Sequence, residues 1–485
     1  MKKHKKIYII FTILITIFSV SLVTKSLQND TFSAVAIGKY ILNHGIDFKE
    51  HFNINNNLSY HNARYLFNII IALIYNKFNF FGIYLFVCLI ISILGNTMFN
   101  MLLKLKNNII VSFVITLLTL FFSYFYFTAR AQIISYLFLL IEIYSIEMLI
   151  KTNKKRYIIY IILSSILIAN IHTTIWLMTL VLFLPYFAEY ILSKIIKKQN
   201  ILYYENINIK ILLITFILTA ISGFLSPLGL LPYTYIFKTM GGISSLYIDE
   251  LKRTNIIKNY NMLFYTIIYI ILFVYSKFKI KISDLFLIFG LYLMALLAGR
   301  NVPFLIILTI ISISRLISPI IGNKLNNVTD KLNNKNIILI LLVIYILVLS
   351  SINFYNNSIT KKYVDETKYP IKASNYINKN INKSKMRLFN EFDIGSYLEF
   401  RNIKVFLDSR SEVFCKEFNN TNIMYDCFGA CYGFLNYEDV FDKYKFTHIL
   451  ISKNAKTSIK NEIQKNKKYK LIYDDKSFSL YEKAK

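Results

Sequence analysis

The chain has 485 residues, of which 55% are hydrophobic and 17% are charged, and its formal net charge is +29. A soluble domain contains about 25% charged residues, so this composition excludes an ordinary soluble globular protein. The positive charge does not indicate nucleic-acid binding, because the lysines cluster in short segments between apolar runs and every second such segment is basic. That alternation is the positive-inside pattern that orients membrane proteins, and no nucleic-acid partner is expected.

About eleven apolar segments are long enough, or nearly so, to cross the hydrocarbon of a bilayer. The predicted spans are 7–25, 80–104, 108–127, 132–150, 156–171, 175–194, 209–225, 261–277, 282–298, 302–317 and 336–352. The basic segments place the N-terminus in the cytoplasm and the residues after the last span outside the cell membrane. The sequence therefore predicts an α-helical polytopic membrane protein whose transmembrane domain covers residues 1–352.

Polar residues return after the first span, and residues 28–78 are predicted to form an extracytoplasmic loop with interfacial helices. The segment 31–42 is amphipathic and is predicted to lie on the membrane surface. Residues 60–78 are apolar but only marginally long. As a span they would invert every later loop, whereas as an interfacial helix they leave all basic loops inside, which favours the second interpretation.

Asp30 begins the first of these helices, and two interpretations of it stay open. As an N-cap it would accept a hydrogen bond from a backbone N–H two or three residues on. At the bilayer edge its carboxylate would instead deprotonate an acceptor or help to hold a divalent cation, and the metal is left open. His61 and Glu250 are further candidates, although a solvated helical face is the alternative for Glu250 and its neighbour Asp249.

Polar residues also lie at the predicted outer ends of later spans, namely Arg130, Gln132, His172, Arg300 and Asn301. Arginine is costly at membrane depth and tends to face a polar cavity or an anion. A guanidinium there suits the phosphate of a lipid-linked donor, which it can grip with two hydrogen bonds. Snorkelling is the alternative for the arginines, and a structural hydrogen bond is the alternative for His172.

After residue 352 the chain becomes polar, and short β-like runs alternate with helical ones. Residues 353–485 are therefore predicted to form an extracytoplasmic α/β domain. Candidate strands are 386–392, 404–409, 448–453, 469–475 and 477–483, and candidate helices are 395–400 and 457–466. Cys415, Cys427 and Cys431 lie in this part and allow one disulfide, whose connectivity stays open.

The order of several short motifs resembles a family of multi-pass bacterial membrane proteins of the GT-C glycosyltransferase type. Asp30 and Gly38 match the Asp and Gly of the family's D-x-W-W-H-L-x-x-G stretch, whereas its Trp and His positions differ. His61 matches a His-Glu-Trp-like element in which the acidic position is Asn62 here. The motifs R-P-Q-x-x-S-Y, A-N-x-H and R-N-x-P are matched by Arg130-Ala-Gln132-Ile-Ile-Ser135-Tyr136, Ala169-Asn170-Ile-His172 and Arg300-Asn301-Val-Pro303.

Two further motifs of the family, N-x-x-D-x-G-x-Y-L and D-x-R, appear in the tail. They are matched by Asn390, Asp393, Gly395, Tyr397, Leu398, Asp408 and Arg410. Asp393 and Gly395 are also shared with the Trp-Trp-Asp-Tyr-Gly element with which oligosaccharyltransferases hold their acceptor. The motifs are short, but their order and spacing run over nearly the whole chain.

The resemblance implies a GT-C-like fold and the transfer of a sugar from a polyprenyl-phosphate-linked lipid donor to an envelope glycan, lipid or protein. It implies Asp30 as the general base, Arg130, Gln132, His172, Arg300 and Asn301 as donor phosphate-binding residues, and Asp393, Gly395, Asp408 and Arg410 as acceptor-binding residues. The missing acid after His61 leaves metal dependence open. The alternative is a non-catalytic transporter or assembly factor for envelope polymers.

Overall fold

The structure is a computed structural model that describes residues 4–196, 201–239, 242, 244–276, 279–320, 325 and 336–484. Helices predominate. The helices are α1 (Lys5–Leu22), α2 (Asn29–His44), α3 (Tyr65–Lys104), α4 (Ile109–Ser123), α5 (Gln132–Thr152), α6 (Arg156–Ile171), α7 (Leu177–Val181), α8 (Leu184–Ile195), α9 (Ile209–Ser222), α10 (Leu231–Thr239), α11 (Ser244–Tyr247), α12 (Tyr260–Tyr275), α13 (Ile282–Leu297), α14 (Val302–Leu308), α15 (Ile310–Ile320), α16 (Asn336–Phe354), α17 (Ile371–Asn380), α18 (Phe392–Phe400), α19 (Lys416–Asn419), α20 (Ile423–Tyr432), α21 (Tyr437–Tyr444) and α22 (Ile459–Lys465). The strands are β1 (Leu202–Tyr203), β2 (Ile280–Lys281), β3 (Leu388–Asn390), β4 (His448–Ser452), β5 (Tyr469–Asp474) and β6 (Phe478–Lys483).

Six helices in the described part of the chain are long and apolar enough to cross a membrane. They are Lys5–Leu22, Tyr65–Lys104, Ile109–Tyr126, Gln132–Thr152, Thr173–Ile195 and Ile337–Ile359. The segments Gly299–Leu308 and Ile310–Ile320 meet at 45° and add a seventh if they form one span. Four shorter apolar helices, α6, α9, α12 and α13, coincide with the other predicted spans, so the count of eleven stays a prediction.

Contacts between Cα atoms divide the chain into two compact units. The first unit comprises Met1–Lys25, Tyr84–Thr234 and Asp249–Lys361. The second comprises Ser26–Ile83, Tyr235–Ile248 and Lys362–Lys485. The loop after the first span therefore belongs to the same compact unit as the C-terminal residues. The predicted domain boundary at residue 352 stays a prediction.

Some of the basic residues from which the orientation in the membrane is predicted lie outside the described residues. They are Lys2, Lys3, Lys197, Lys198, Lys277, Lys324 and Lys331.

Helix α2 carries Asp30 in its first turn, and the N-cap position belongs to Gln28. The helix is also more deeply buried than the predicted surface helix, because residues 31–38 are all buried. Gly38 makes this packing possible. A Cβ atom there would lie 2.0 Å from the carbonyl oxygen of Asn68 in α3, so the two backbones approach too closely for any other residue.

The predicted interfacial helix and the span that follows it appear as two parts of α3. They are separated at Asn79, whose φ of 53° and ψ of −152° are not helical. This conformation lies outside the right-handed helical region and interrupts the helix there. The first part begins at Tyr65, five residues later than the predicted start.

A four-stranded sheet with the order β3-β4-β6-β5 forms the centre of the C-terminal part of the second unit. Strands β3 and β4 are parallel, and the other two pairs are antiparallel. The core beneath the sheet includes Leu388, Leu398, Val405, Leu450 and Leu480, all without exposed surface. Four of the five predicted strands are confirmed.

The predicted strand 404–409 is wrong, because other partners use its backbone groups. The Asn390 side chain accepts a hydrogen bond from the Phe406 N–H at 2.8 Å and donates one to the Leu407 carbonyl at 2.7 Å. The Asn53 amide donates to the Phe406 carbonyl at 2.8 Å. Val405 bonds to the backbone of Phe52 and Ile54 at 2.9 Å each, which forms a single parallel bridge and not a longer ladder. Because side chains take the groups that follow, the segment joins no strand of the four-stranded sheet. Asn390, matched above to a family motif, thus fixes the segment next to β3.

Gly395 lies where α18 meets that segment. A Cβ atom at this position would be 1.9 Å from the Leu407 carbonyl oxygen and 2.8 Å from the Cα of Asp408. Both neighbours are backbone atoms, which cannot rotate away as a side chain would. The glycine is therefore required for packing.

We expect Gly395→Ala to destabilise the protein by about 1–3 kcal/mol, because the added methyl group overlaps backbone atoms. Gly290→Ala in α13 is the matched control, since nothing lies within 4 Å of a Cβ atom there. Thermal unfolding of both variants in the same detergent measures the difference. Equal unfolding midpoints would show that the α18 backbone does not need this contact.

Candidate functional site

Three of the predicted outer turns lie together in the first unit. The Tyr126 hydroxyl donates to the Gly299 carbonyl at 3.3 Å, and the Gly299 N–H donates to the Lys252 carbonyl at 3.3 Å. Arg130 Nη1 and a Glu250 carboxylate oxygen are 2.7 Å apart. These contacts join the turn after α4, the loop before α12 and the turn before α14, so the structure brings Arg130, Glu250 and the Arg300 turn into one region.

The predicted phosphate-binding residues in this region have different surroundings. Arg300 is exposed, whereas the Asn301 amide donates to a backbone carbonyl near the end of α13 at 2.9 Å. His172 is buried, and its Nδ1 shares a hydrogen bond of 2.8 Å with the Ser135 hydroxyl. Gln132 is the first residue of α5, one turn before that serine. Among the predicted phosphate-binding residues the two arginines are thus the charged ones, whereas His172 and Asn301 make hydrogen bonds within the protein.

Asp30 belongs to the second unit, where it forms an ion pair with Arg64. The distance from Asp30 Oδ2 to Arg64 Nη1 is 3.6 Å, and the two side chains are 16% and 19% exposed. Burial by itself lowers the pKa of Arg64, but the negative charges of Asp30 and Glu412 outweigh burial and raise it above its usual value. Burial raises the pKa of Glu412, and Arg64 opposes that effect. Asp30 therefore faces a permanent cation at a partly accessible position.

Arg410 is the centre of a buried ion cluster in the same unit. Its guanidinium bonds to Glu50 at 2.5 and 3.1 Å, to Glu399 at 2.5 Å and to Asp408 at 2.7 and 2.9 Å. None of the four side chains has exposed surface. The guanidinium carbon also lies 4.9 Å from the centre of the Tyr60 ring, a cation–π distance. We call these five residues the Arg410 cluster.

The carboxyl groups of Glu399 and Asp408 in the cluster have pKa values that are shifted in opposite directions. Burial raises the pKa of Glu399 well above its ordinary value, and the neighbouring Asp408 adds to this although Arg410 opposes it. Burial also acts to raise the pKa of Asp408, but Arg410 outweighs it, so that pKa is lowered. Glu399 therefore carries a proton and Asp408 is ionised. Asp408 and Arg410, predicted to bind acceptor, lie inside the unit and touch protein groups in this structure.

Asp393 lines a cavity of about 490 Å³ in the second unit. The cavity lies beside Glu391, which follows β3, and Ser452, which ends β4. The carboxyl ends of parallel strands are the usual place for ligand sites in α/β folds. The Asn29 amide, from the start of α2, donates to the Asp393 carbonyl at 2.6 Å and also lines the cavity. Sequence reasoning identified Asp393, but it missed Glu391 and Asn29.

Glu391 is a buried acid beside the cavity. Its two carboxylate oxygens accept hydrogen bonds from the Ser452 N–H at 2.9 Å and the Thr457 hydroxyl at 3.0 Å. Burial is the largest effect and raises the pKa of Glu391 to about 7, although these hydrogen bonds lower it. The carboxyl group therefore exchanges its proton near neutral pH.

The remaining candidates, His61 and the three cysteines of the tail, pack against other protein groups. His61 packs against Phe418 with ring centres 5.6 Å apart, and burial together with Lys238 lowers its pKa, so it is neutral at pH 7. Cys415, Cys427 and Cys431 are buried free thiols, so the disulfide that the sequence allowed is not formed. Within the described ranges, no group of three or more His, Cys, Asp or Glu side chains is placed to hold a metal ion.

A second ion cluster lies in the first unit. The sequence did not predict it, because Lys281 and Arg315 fit the pattern of basic residues in the segments between apolar runs. Lys281 is fully buried and lies 3.3 Å from Glu147 and 4.0 Å from Glu189. Arg315 bonds to Glu147 and to Asp284, each at 2.6 Å. The partners are far apart in sequence. The sequence signal for them is a single acidic residue within an otherwise apolar helix.

No protein-family model and no curated protein matches the chain. Among solved structures, the chain is similar to the oligosaccharyltransferase of Archaeoglobus fulgidus in its apo form, with a TM-score of 0.65 and 11% identity over 92% of this chain and 70% of that one. A crystal structure of the same enzyme tethered to an acceptor peptide with the NVT sequon gives a TM-score of 0.60 and 9% identity over 92% of this chain and 69% of that one. The chain therefore has a mostly helical fold that is similar to that of the oligosaccharyltransferase, and the GT-C assignment stays a prediction.

We expect Arg410→Met to destabilise the protein by about 3–5 kcal/mol, because it leaves buried carboxylates without their cation. Arg401→Met is the control, since Arg401 pairs with an exposed Asn375 and its loss should cost about 0.5 kcal/mol or less. Thermal unfolding measures both variants. Similar midpoints for the two would contradict the central position of Arg410.

We expect stability to fall as the pH rises from about 4.5 to 7, because over that range the folded protein keeps the Glu391 proton that the unfolded chain has lost. The difference in unfolding free energy is about 3 kcal/mol and is fully developed above pH 7. Glu391→Gln should reduce this decline, and Glu462→Gln, at an exposed position of α22, should not. Unfolding midpoints at pH 5 and pH 8 test this. An unchanged decline in Glu391→Gln would assign it to another group.

Proposed function

We propose that this protein is a membrane glycosyltransferase that moves a sugar from a polyprenyl-phosphate-linked donor to an extracytoplasmic acceptor in the cell envelope. The oligosaccharyltransferase-like fold over 92% of the chain carries this proposal. It is supported by the position of Asp30 on the helix that follows the first apolar helix, paired with an arginine and partly accessible. The cytoplasmic N-terminus and the extracytoplasmic position of residues 353–485 are parts of the same proposal.

Asp30 acts as the general base in the proposed reaction. The acceptor hydroxyl oxygen attacks the anomeric carbon of the sugar while Asp30 takes the hydroxyl proton. The bond between the anomeric carbon and the phosphate oxygen breaks, and polyprenyl phosphate leaves with the bonding electrons. Proton transfer of this kind contributes about 10²–10⁴ to the rate. Arg64, 3.6 Å from Asp30, is the positioning residue for the carboxylate.

Arg130 and Arg300 are proposed to stabilise the phosphate as its negative charge grows. Fixed cations at a site of developing charge lower a barrier more than most other effects. Glu250 pairs with Arg130 at 2.7 Å in this structure, and its exposed carboxylate can move away when a phosphate arrives. Gln132, His172 and Asn301 are proposed to support the turns that present the two arginines.

Asp393 is the proposed acceptor-binding residue, because it lines the cavity beside the strand ends. Gly395, Asp408 and Arg410 are proposed to serve acceptor binding by positioning α18, since they lie within its packing. His61 stays a further candidate site residue. The proposal does not assign a divalent cation to the reaction.

The alternative function, a transporter or assembly factor for envelope polymers, requires charged groups that guide a substrate between the helices. Lys281 and Arg315 are already bound to carboxylates at 2.6–3.3 Å, so these charges satisfy one another and fix the helices and loops that carry them. Glu142 of α5 is also fully buried, and neither of its carboxylate oxygens accepts a hydrogen bond within the described residues, but one buried acid does not form a path between the helices. The transferase proposal is therefore the better supported of the two.

We expect Asp30→Asn to reduce sugar transfer by at least 100-fold, because an amide cannot accept the hydroxyl proton. Asp47→Asn is the matched control in the same loop, since Asp47 pairs with His51 at a half-exposed position. Membranes containing each variant would be supplied with radiolabelled polyprenyl-phosphate hexoses, and labelled product counted. Full transfer by a correctly folded Asp30→Asn variant would remove Asp30 from the mechanism.

A further inference from the structure

A set of near-parallel aromatic rings lies beside the cavity. The Tyr247 and Phe428 rings stack with centres 4.5 Å apart and planes 5° apart, and the Phe428 and Tyr432 planes differ by 6° with centres 6.0 Å apart. The Phe434 ring is within 8° of Tyr247. We call these four rings the aromatic surface. Phe428 and Tyr432 also line the cavity, so the aromatic surface and the cavity are continuous.

Two rings of the aromatic surface are turned to the outside. Tyr432 is 54% exposed and Phe434 is 47% exposed, although both are large side chains that folding would normally bury. Exposed apolar groups that form a contiguous patch, and do not stand singly, mark binding surfaces. The rings therefore indicate a partner with a flat apolar face.

The cavity supplies the complementary polar groups. The cavity is lined by the carboxyl groups of Asp393 and Glu391 and by the side-chain amides of Asn29 and Asn454. The Asn29 amide N–H groups are used within the protein, but its Oδ1 accepts no hydrogen bond from the described residues, and each Glu391 oxygen keeps a second lone pair beside its bond to Ser452 or Thr457. A ligand that fits must carry many hydroxyl or amide groups around its rim. The volume of about 490 Å³ lies within the range of small-molecule sites, about 300–1,000 Å³.

We propose that the cavity and the aromatic surface bind a glycan chain. A pyranose ring has a face of C–H groups, which packs on an aromatic ring, and a rim of hydroxyl groups, which bond to carboxylates and amides. A peptide in extended form would instead pair with a sheet edge through its backbone. The cavity lies at the carboxyl ends of β3 and β4 and does not run along a strand.

The glycan is also the class of acceptor that this geometry favours, a step that rests on the proposed function. Asn29 lines the cavity and directly precedes Asp30, the proposed base. A sugar hydroxyl in the cavity would therefore be bound by the first turn of the helix that carries the base. Recognition of the glycan itself does not depend on that reaction.

The test uses the full-length protein in a detergent without a sugar headgroup. Binding of cellohexaose, maltohexaose and chitohexaose is measured by isothermal titration calorimetry. We expect at least one hexasaccharide to bind, Tyr432→Ala to weaken that binding at least tenfold, and Tyr432→Phe to stay within threefold because it keeps the ring. Tyr425→Ala is the control, since Tyr425 lies on the same helix, is 38% exposed and is tilted 56° from Phe434, outside the parallel set.

The outcomes separate this inference from the proposed function. Absence of binding to all three saccharides, or equal binding by wild type and a folded Tyr432→Ala variant, overturns the glycan site. If sugar transfer from a polyprenyl-phosphate donor persists in that case, the proposed function stands without it. If the saccharides bind as expected but wild type transfers no sugar, the glycan site stands and the transferase proposal falls.

Discussion

The Arg410 cluster is the constraint on which the second unit depends. It places one guanidinium among three buried carboxylates that come from the loop before α3, from α18 and from the segment after it. Such a cluster adds little net stability, because the cost of removing the guanidinium and its ionised carboxylate partners from water offsets their attraction. It does impose geometry, since only one arrangement of these segments lets Glu50 and Glu399 meet Arg410. The same loop carries Arg64, which interacts with Glu412 and holds Asp30. The candidate base is therefore positioned by a network whose centre is fully buried.

Helix α18 links that network to the cavity. Asp393 lies at its cavity end, Gly395 allows its backbone to approach Leu407, and Glu399 reaches Arg410 near its other end. The resemblance implies that Asp393, Gly395, Asp408 and Arg410 bind the acceptor. In the structure Asp393 lines the cavity, whereas the other three position the helix.

The sequence was sufficient for features that depend on local patterning. Hydrophobic run length predicted where the apolar helices lie, and alternation predicted four of the five tail strands. The break at Asn79 falls between the predicted interfacial helix and the predicted span, whose placement relative to the membrane stays a prediction. Segment 404–409 has the alternation of a strand, yet Asn390 and Asn53 take its hydrogen-bonding groups. Local patterning cannot reveal such partners, because they are distant in sequence. For the same reason the sequence did not predict the ion pairs of Lys281 and Arg315. It also did not predict the aromatic surface, whose rings come from α11, from α20 and from the loop after α20.

The central claim is that this fold transfers sugar from a lipid phosphate. The most direct measurement is to incubate the purified wild-type protein with a polyprenyl-phosphate hexose and an envelope extract, and to follow the lipid by mass spectrometry. The account predicts that free polyprenyl phosphate forms in step with a glycosylated acceptor, and that neither forms without protein. Unchanged donor lipid across a panel of hexoses, with folded protein and with extract present, would contradict it.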